Sequence, residues 1–174
     1  MTIRPIIIAP DPALKQIAKP VAAVDDAART LLQDMLETMY AAPGIGLAAP
    51  QIGVGERLVV IDLAREHETP RPLQLVNPEI IWQSDEMIIW NEGCLSIPDY
   101  YADVPRHREV AVRYLDQHCQ TQEIKANDLL AVCLQHEIDH LNGVLFIDHI
   151  SALRWQMALG KMRKLKRGEG RPVD

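Results

Sequence analysis

The chain has 174 residues, 48% of them hydrophobic and 24% charged, with a formal charge of −6. That is enough apolar material for one packed core and excludes wholesale disorder. The longest apolar runs, such as Ile6 to Ala9, fall far short of the ~20 residues of a membrane span. Pro5, Pro10 and Asp11 break up the start of the chain, which does not read as a secretory leader, and the cysteines number three. These features predict a soluble, cytoplasmic protein that keeps its thiols reduced and does not bind membrane.

In chain order, Asp25 or Asp26 caps a helix that runs to about Tyr40, with Leu31, Leu32, Met35, Leu36 and Met39 on one stripe. Pro43-Gly44 ends it, and the glycine-punctuated stretch from Gly44 to Gly53 follows. Strand-like runs then cover 58–63, 73–76, 80–83, 87–90, 109–115 and 121–125, separated by turn-formers such as Asn77-Pro78 and Ser84-Asp85. Asn127 is placed to cap a second helix over 128–141, which Asn142-Gly143 terminates. A last helix spans about 151–167. Helices flanking mostly antiparallel strands predict one α+β domain over 1–174. From Ser151 onward seven basic residues face two acidic ones, leaving the body strongly acidic. An acidic body predicts no direct nucleic-acid specificity, while the basic tail suits either a solvated helix end or contact with a phosphate-rich partner.

His136-Glu137-Ile138-Asp139-His140 carries the chemistry. Residues four apart share a helix face with ~6 Å of rise between them, so both imidazoles can converge on one metal ion. Glu137, rotated off that axis, can act as acid/base toward water at the metal. The helix is otherwise apolar (Leu129, Leu130, Ala131, Val132, Cys133, Leu134, Ile138), and burying this charge there is costly unless the groups are ligated or paired. A catalytic metal needs a third protein ligand. Phe146 stands where one class of zinc protease would place a third histidine, which excludes that class. Cys133 lies ~10 Å along the axis from His140, too far to share its metal. Cys119 follows a polar turn and reads as incidental. Cys94, in the bend Glu92-Gly93-Cys94-Leu95-Ser96, and Asp148 or His149 remain open candidates.

Three segments, Gly44 to Gln51 (GIGLAAPQ), Glu92 to Ser96 (EGCLS) and Gln135 to Gly143 (QHEIDHLNG), resemble in order the three signature motifs of the peptide deformylases. The resemblance covers nearly the whole chain. It implies the deformylase fold, with mostly antiparallel strands around the helix that carries the two histidines. The implied reaction removes formate from the N-formyl-methionine of nascent polypeptides. Carried over, Cys94, His136 and His140 bind one divalent metal, natively Fe2+ with Zn2+, Ni2+ or Co2+ as alternatives. Glu137 becomes the catalytic acid/base, and Gln51 and the Leu95 backbone face the substrate carbonyl. The glycines around Ile45 and Gly46 permit a substrate strand to add along that edge. Leu129, Val132 and Cys133, on the metal's face of the helix, form an apolar slot for methionine. In related bacterial enzymes the C-terminal helix docks on the ribosome, and the basic tail is compatible with that. The chain departs from many members at Asp99-Tyr100-Tyr101-Ala102, where those carry a basic residue, which bears on preference beyond methionine. Two rival readings are a peptidase with Asp148 as third ligand and a non-catalytic ribosome-associated module.

Overall fold

The computed structural model describes residues 2–64 and 67–168. Helix α1, Asp26–Ala41, starts where the Asp25 carboxylate accepts from the Ala28 N–H at 2.9 Å. It buries Leu32, Met35, Leu36 and Met39 against Leu47, Leu58, Val60 and Val76, while Leu31 is only partly covered. The glycine-rich stretch resolves into a short strand, β1 (Gly46–Ala48), and a 3-10 turn, Ala49–Ile52, closed by Gly53 at φ 79°. Strand β2 (Leu58–Ile61) is buried along its whole length.

Strand β3, Leu73–Gln83, runs through Asn77-Pro78, where two separate strands were expected. The pairing shifts register between Val76 and Glu79, and Asn77 sits at φ 52°. The irregularity takes up a proline that has no N–H to give the ladder. β4 (Met87–Cys94) and β5 (Ile97–His107) form a separate antiparallel pair. β5 was not expected from the sequence. Its alternation is genuine, with Ala102, Val104 and Arg106 buried and Tyr101, Asp103 and Pro105 exposed, but a buried arginine and two prolines disguise the pattern. β6 (Glu109–Leu115) and β7 (Thr121–Asn127) complete an antiparallel sheet of order β1-β2-β3-β6-β7.

Helix α2 has the expected bounds, Asp128–Leu141. Asn127 occupies the N-cap with extended dihedrals, but its side chain accepts no bond from the helix, so the expected cap is a cap in backbone only. α2 presses Ala131, Leu134, Ile138 and Leu141 onto Val59, Ile61, Leu75, Val110 and Val112 of the sheet. Burying one such side chain contributes roughly 1.5–3 kcal/mol, which is how this apolar face fixes the rotation of the helix about its axis. The opposite face, with the histidines, is thereby aimed at β4 and β5. Helix α3, Ala152–Lys166, is capped by Ser151 and buries Ala158, Leu159 and Met162 with Ile97, Val104 and Phe146. Its exposed residues include Arg163 and Lys164; Glu169, Arg171 and Asp174 of the basic tail lie outside the described residues. Among the described residues no helix is long and apolar enough to cross a membrane.

Candidate active site

Cys94 ends β4, and a two-residue turn, Leu95-Ser96, leads straight into β5. Gly93 before it has a steric reason: a Cβ there would stand 2.5 Å from the Tyr101 ring across the hairpin. The turn delivers the thiol to α2. Cys94 Sγ lies 3.3 Å from His140 Nε2, and one donor atom from each of Cys94, His136 and His140 falls within 4.8 Å of the other two. The two imidazole centroids are 5.0 Å apart. A sulfur and two ring nitrogens crowded together in a buried place fit a single thiophilic, imidazole-binding divalent cation.

The same geometry decides among the candidates that spacing left open. The Asp148 carboxylate accepts from the Leu145 N–H at 2.8 Å and from Trp155 Nε1 at 3.1 Å, and pairs with Lys15. His149 is bonded to Asp139. Neither belongs to the cluster. Cys133 lines the neighbouring cleft, where burial pushes its thiol up to about 12 and keeps it protonated. Cys119 is exposed.

His136 is held from behind. Its Nδ1 lies 2.7 Å from Glu92 Oε2, which leaves Nε2 for the cluster. Glu92 in turn accepts two bonds from Arg106, at 2.7 and 3.1 Å, and Arg106 reaches Asp139 at 2.6 Å. His149 closes the chain at 2.8 Å from Asp139. Sequence reasoning quoted Glu92 and Asp139 inside motifs without giving them a role and passed over Arg106. The available signal was Glu92 and Arg106 on one face of adjoining strands, visible only once β5 is recognised. Burial pushes the Glu92 carboxyl up, but the bonds from His136 and Arg106 outweigh it and hold it below its ordinary value. Burial likewise depresses His136, yet its bonds to Cys94 and Glu92 lift it well above the usual histidine value. His140 goes the other way: burial and the neighbouring His136 charge hold it well below, so its ring is neutral.

Glu137 points into a cleft of about 560 Å³ that is also lined by Ile45, Gly46, Gln51, Leu95, Leu129, Val132 and Cys133. Every residue expected at the substrate side is therefore brought to one cavity. Burial raises the Glu137 carboxyl to about 7, and its Oε2 has no hydrogen-bond partner among the described residues. Such a group can both take and release a proton near neutrality. Gly46 makes room beside it, since a Cβ there would stand 2.3 Å from Glu137 Oε1 and displace the carboxylate. Gln51 is buried, and its Oε1 is occupied by the Ala48 N–H at 2.8 Å. That fixes the amide so that Nε2 faces Cys94 Sγ at 3.5 Å and Ser96 Oγ at 3.2 Å.

The polypeptide deformylase family model matches residues 3–156. The chain belongs to the polypeptide deformylase family. It is 58% identical over 165 residues to a peptide deformylase of Mesorhizobium japonicum, covering 95% of this chain and 94% of the relative. Among solved structures, a deformylase from Legionella pneumophila superposes with a TM-score of 0.90 at 46% identity, covering 99% of this chain and 100% of that one. One from Ehrlichia chaffeensis, crystallised with actinonin, gives 0.92 at 40% identity and covers 96% and 99%. A deformylase removes the formyl group from the N-terminal methionine of a new polypeptide, and that hydrolysis is the activity of this chain. The family is metal-dependent, in keeping with the donor cluster.

Proposed function

We propose that Cys94, His136 and His140 hold one divalent ion, iron(II) in the cell and replaceable by zinc, nickel or cobalt, and that Glu137 is the acid/base of deformylation. The convergence of three donor atoms within 4.8 Å at the cleft that Glu137 enters carries this reading. The ion supplies Lewis acidity that makes water a competent nucleophile at neutral pH. Glu137 takes the proton from the attacking water and passes it to the departing amine nitrogen, leaving formate and a free N-terminus. Gln51 Nε2 and the Leu95 N–H donate to the formyl oxygen as it gains charge, and one such donor is typically worth about 3–4 kcal/mol in the transition state. Leu129, Val132 and Cys133 receive the methionine side chain, whose unbranched thioether fits an irregular apolar slot.

The peptide backbone pairs along β1. β1 is the edge of its sheet, and the Asp62 N–H donates to the Ile45 carbonyl at 3.0 Å while Gly46 stands opposite Ile61. Antiparallel pairing alternates, so the Gly46 N–H and C=O are directed to the open edge, as is the Ala48 N–H that meets Gln51. Gly46, with both of its backbone groups turned outward, then offers a short ladder to an extended substrate alongside Ile45.

The test is formate release from a formyl-Met-Ala peptide by anaerobically purified protein, with metal analysis of the same sample. Iron-loaded enzyme is expected to be active. Cys94→Ser is expected to lose most of its ion on dialysis, because an alcohol is a harder and far less acidic ligand than a thiol. Full retention of the ion would remove Cys94 from the donor set.

We assign the whole chain to a single catalytic domain acting in the cytoplasm, with α3 as the surface that meets the ribosome. Support comes from exposed Arg163 and Lys164 on α3 against an acidic body. Co-sedimentation with ribosomes is expected to weaken with added salt and with Arg163→Glu/Lys164→Glu. Binding indifferent to both would reject the assignment.

A further inference from the structure

We infer that Tyr40 and Asp62 are positioning residues that pre-set the β1 edge for the substrate backbone; the inference rests on the edge-pairing reading above. Asp62 is 4% exposed and lies one residue past the end of β2. Its carboxylate gathers three donors: the Tyr40 hydroxyl at 2.6 Å, the Ala64 N–H at 2.9 Å and the Arg71 N–H at 3.1 Å. Its own N–H holds the Ile45 carbonyl at 3.0 Å, and the Gly44 N–H is bonded to the Met39 carbonyl at 2.9 Å. Tyr40, Asp62 and Ile45 therefore close a ring across the end of α1, the end of β2 and the start of β1.

The ring has a directional consequence. Holding the Ile45 carbonyl toward β2 turns the Gly46 N–H of the same trans peptide outward, and the Gly46 carbonyl follows by the alternation of the strand. β1 is only three residues long, and Gly44 and Gly46 give its entry unusual backbone freedom. Without the ring a binding peptide would have to order this segment itself, and the ordering entropy would be charged to substrate affinity. The chemistry of the pair suits a permanent tether. Burial and the adjoining carboxylate push the Tyr40 phenol up to about 12, so it stays a donor, while the bonds to Tyr40, Ala64 and Arg71 overcome burial and keep Asp62 ionised.

Neither residue lines the cleft, and neither belongs to the donor cluster. The effect is therefore expected in binding and not in the chemical step. Metal-loaded wild type, Tyr40→Phe and Asp62→Asn are to be compared for steady-state hydrolysis of formyl-Met-Ala-Ser and for calorimetric binding of Met-Ala-Ser. Both variants are expected to raise KM and the peptide Kd about three- to tenfold, the scale of one hydrogen bond's net contribution, with kcat within about twofold and metal content unchanged. A purely architectural role predicts a lower Tm with KM and Kd at wild-type values, and that result overturns the inference. A fall in kcat at constant KM, or loss of metal, overturns it as well. A formyl-Met-Ala-Ser analogue N-methylated at the Met–Ala and Ala–Ser amides separates the two layers. If wild type handles it as well as the parent peptide, edge pairing itself fails and takes the inference with it. If methylation raises KM while neither substitution does, edge pairing stands and the tether alone is rejected.

Discussion

Glu137→Gln is expected to lower kcat by about 10²–10⁴-fold, the range general acid–base catalysis supplies, while bound ion and Met-Ala-Ser affinity stay near wild type. The amide keeps the shape of the carboxylate and its place beside Gly46, but it can neither accept nor deliver the proton. Kinetics and metal analysis on one preparation check this, and a variant with near-normal turnover would move the acid/base role elsewhere. The sign of the pH dependence follows from the same carboxyl. In the ion-free protein burial holds it at about 7, so at about pH 6 it is largely protonated and at about pH 8 largely ionised. A cation arriving beside it favours the ionised form and expels that proton. Titration with Zn2+ is therefore expected to release more protons at the lower pH, and Glu137→Gln to release fewer there by up to about one, with the difference closing at the higher pH. As a base the group must be ionised, so kcat/KM rises with pH through its ionisation.

Arg106→Met is expected to cost about 3–5 kcal/mol of folding stability, because removing one member of a buried ion cluster leaves the others uncompensated. Arg106 and Glu92 are each about 4% exposed, and Arg106 also holds Asp139. Burial alone would raise both carboxyls. With Arg106, and with His136 and His149 as further partners, both are instead held below their ordinary values. A lowered carboxyl contributes stability that is fully present above its unfolded value, near pH 4, and is lost as pH falls through its folded value. Denaturant unfolding is therefore expected to show the full deficit of Arg106→Met at neutral pH. The deficit should shrink on acidification, as the stranded carboxyls take up protons and no longer need a cation. A deficit independent of pH would mean that lost packing, not charge, accounts for it. Because Glu92 orients His136, the variant is also expected to hold its metal about 10–100-fold more weakly, the usual cost of loosening the partner of a ligand histidine.

The two histidines and Glu137 were legible in the sequence because their spacing is a local property: four residues are one helical turn wherever the helix goes. The third donor was not legible in that way. On spacing Cys94 stood only modestly ahead of Asp148, and the family resemblance settled the choice for the thiol. In the fold Asp148 is spent on Lys15, Leu145 and Trp155, whereas the hairpin turn carries Cys94 to within 3.3 Å of a histidine 46 residues away. Arg106 fell out of the sequence reading for a related reason. A buried arginine breaks the apolar alternation that marks a strand, and its justification, Glu92 and Asp139, lies on two other elements.

By itself the sequence determined the α+β class, the bounds of the helix over 128–141, the pair His136 and His140 with Glu137 beside them, and the family through three ordered motifs. These rest on caps, periodicity and short-range spacing, which act within a few residues of chain. The tertiary structure alone decided which face of α2 turns to the cleft, that β5 exists, that Glu92, Arg106 and Asp139 back the histidine, and that Tyr40 and Asp62 tie down the β1 edge. The first rests on apolar packing against the sheet and the second on pairing with β4, while the last two depend on groups 14 to 44 residues apart meeting within hydrogen-bond range. Burial in the assembled core, not local preference, fixes which distant polar groups must find one another.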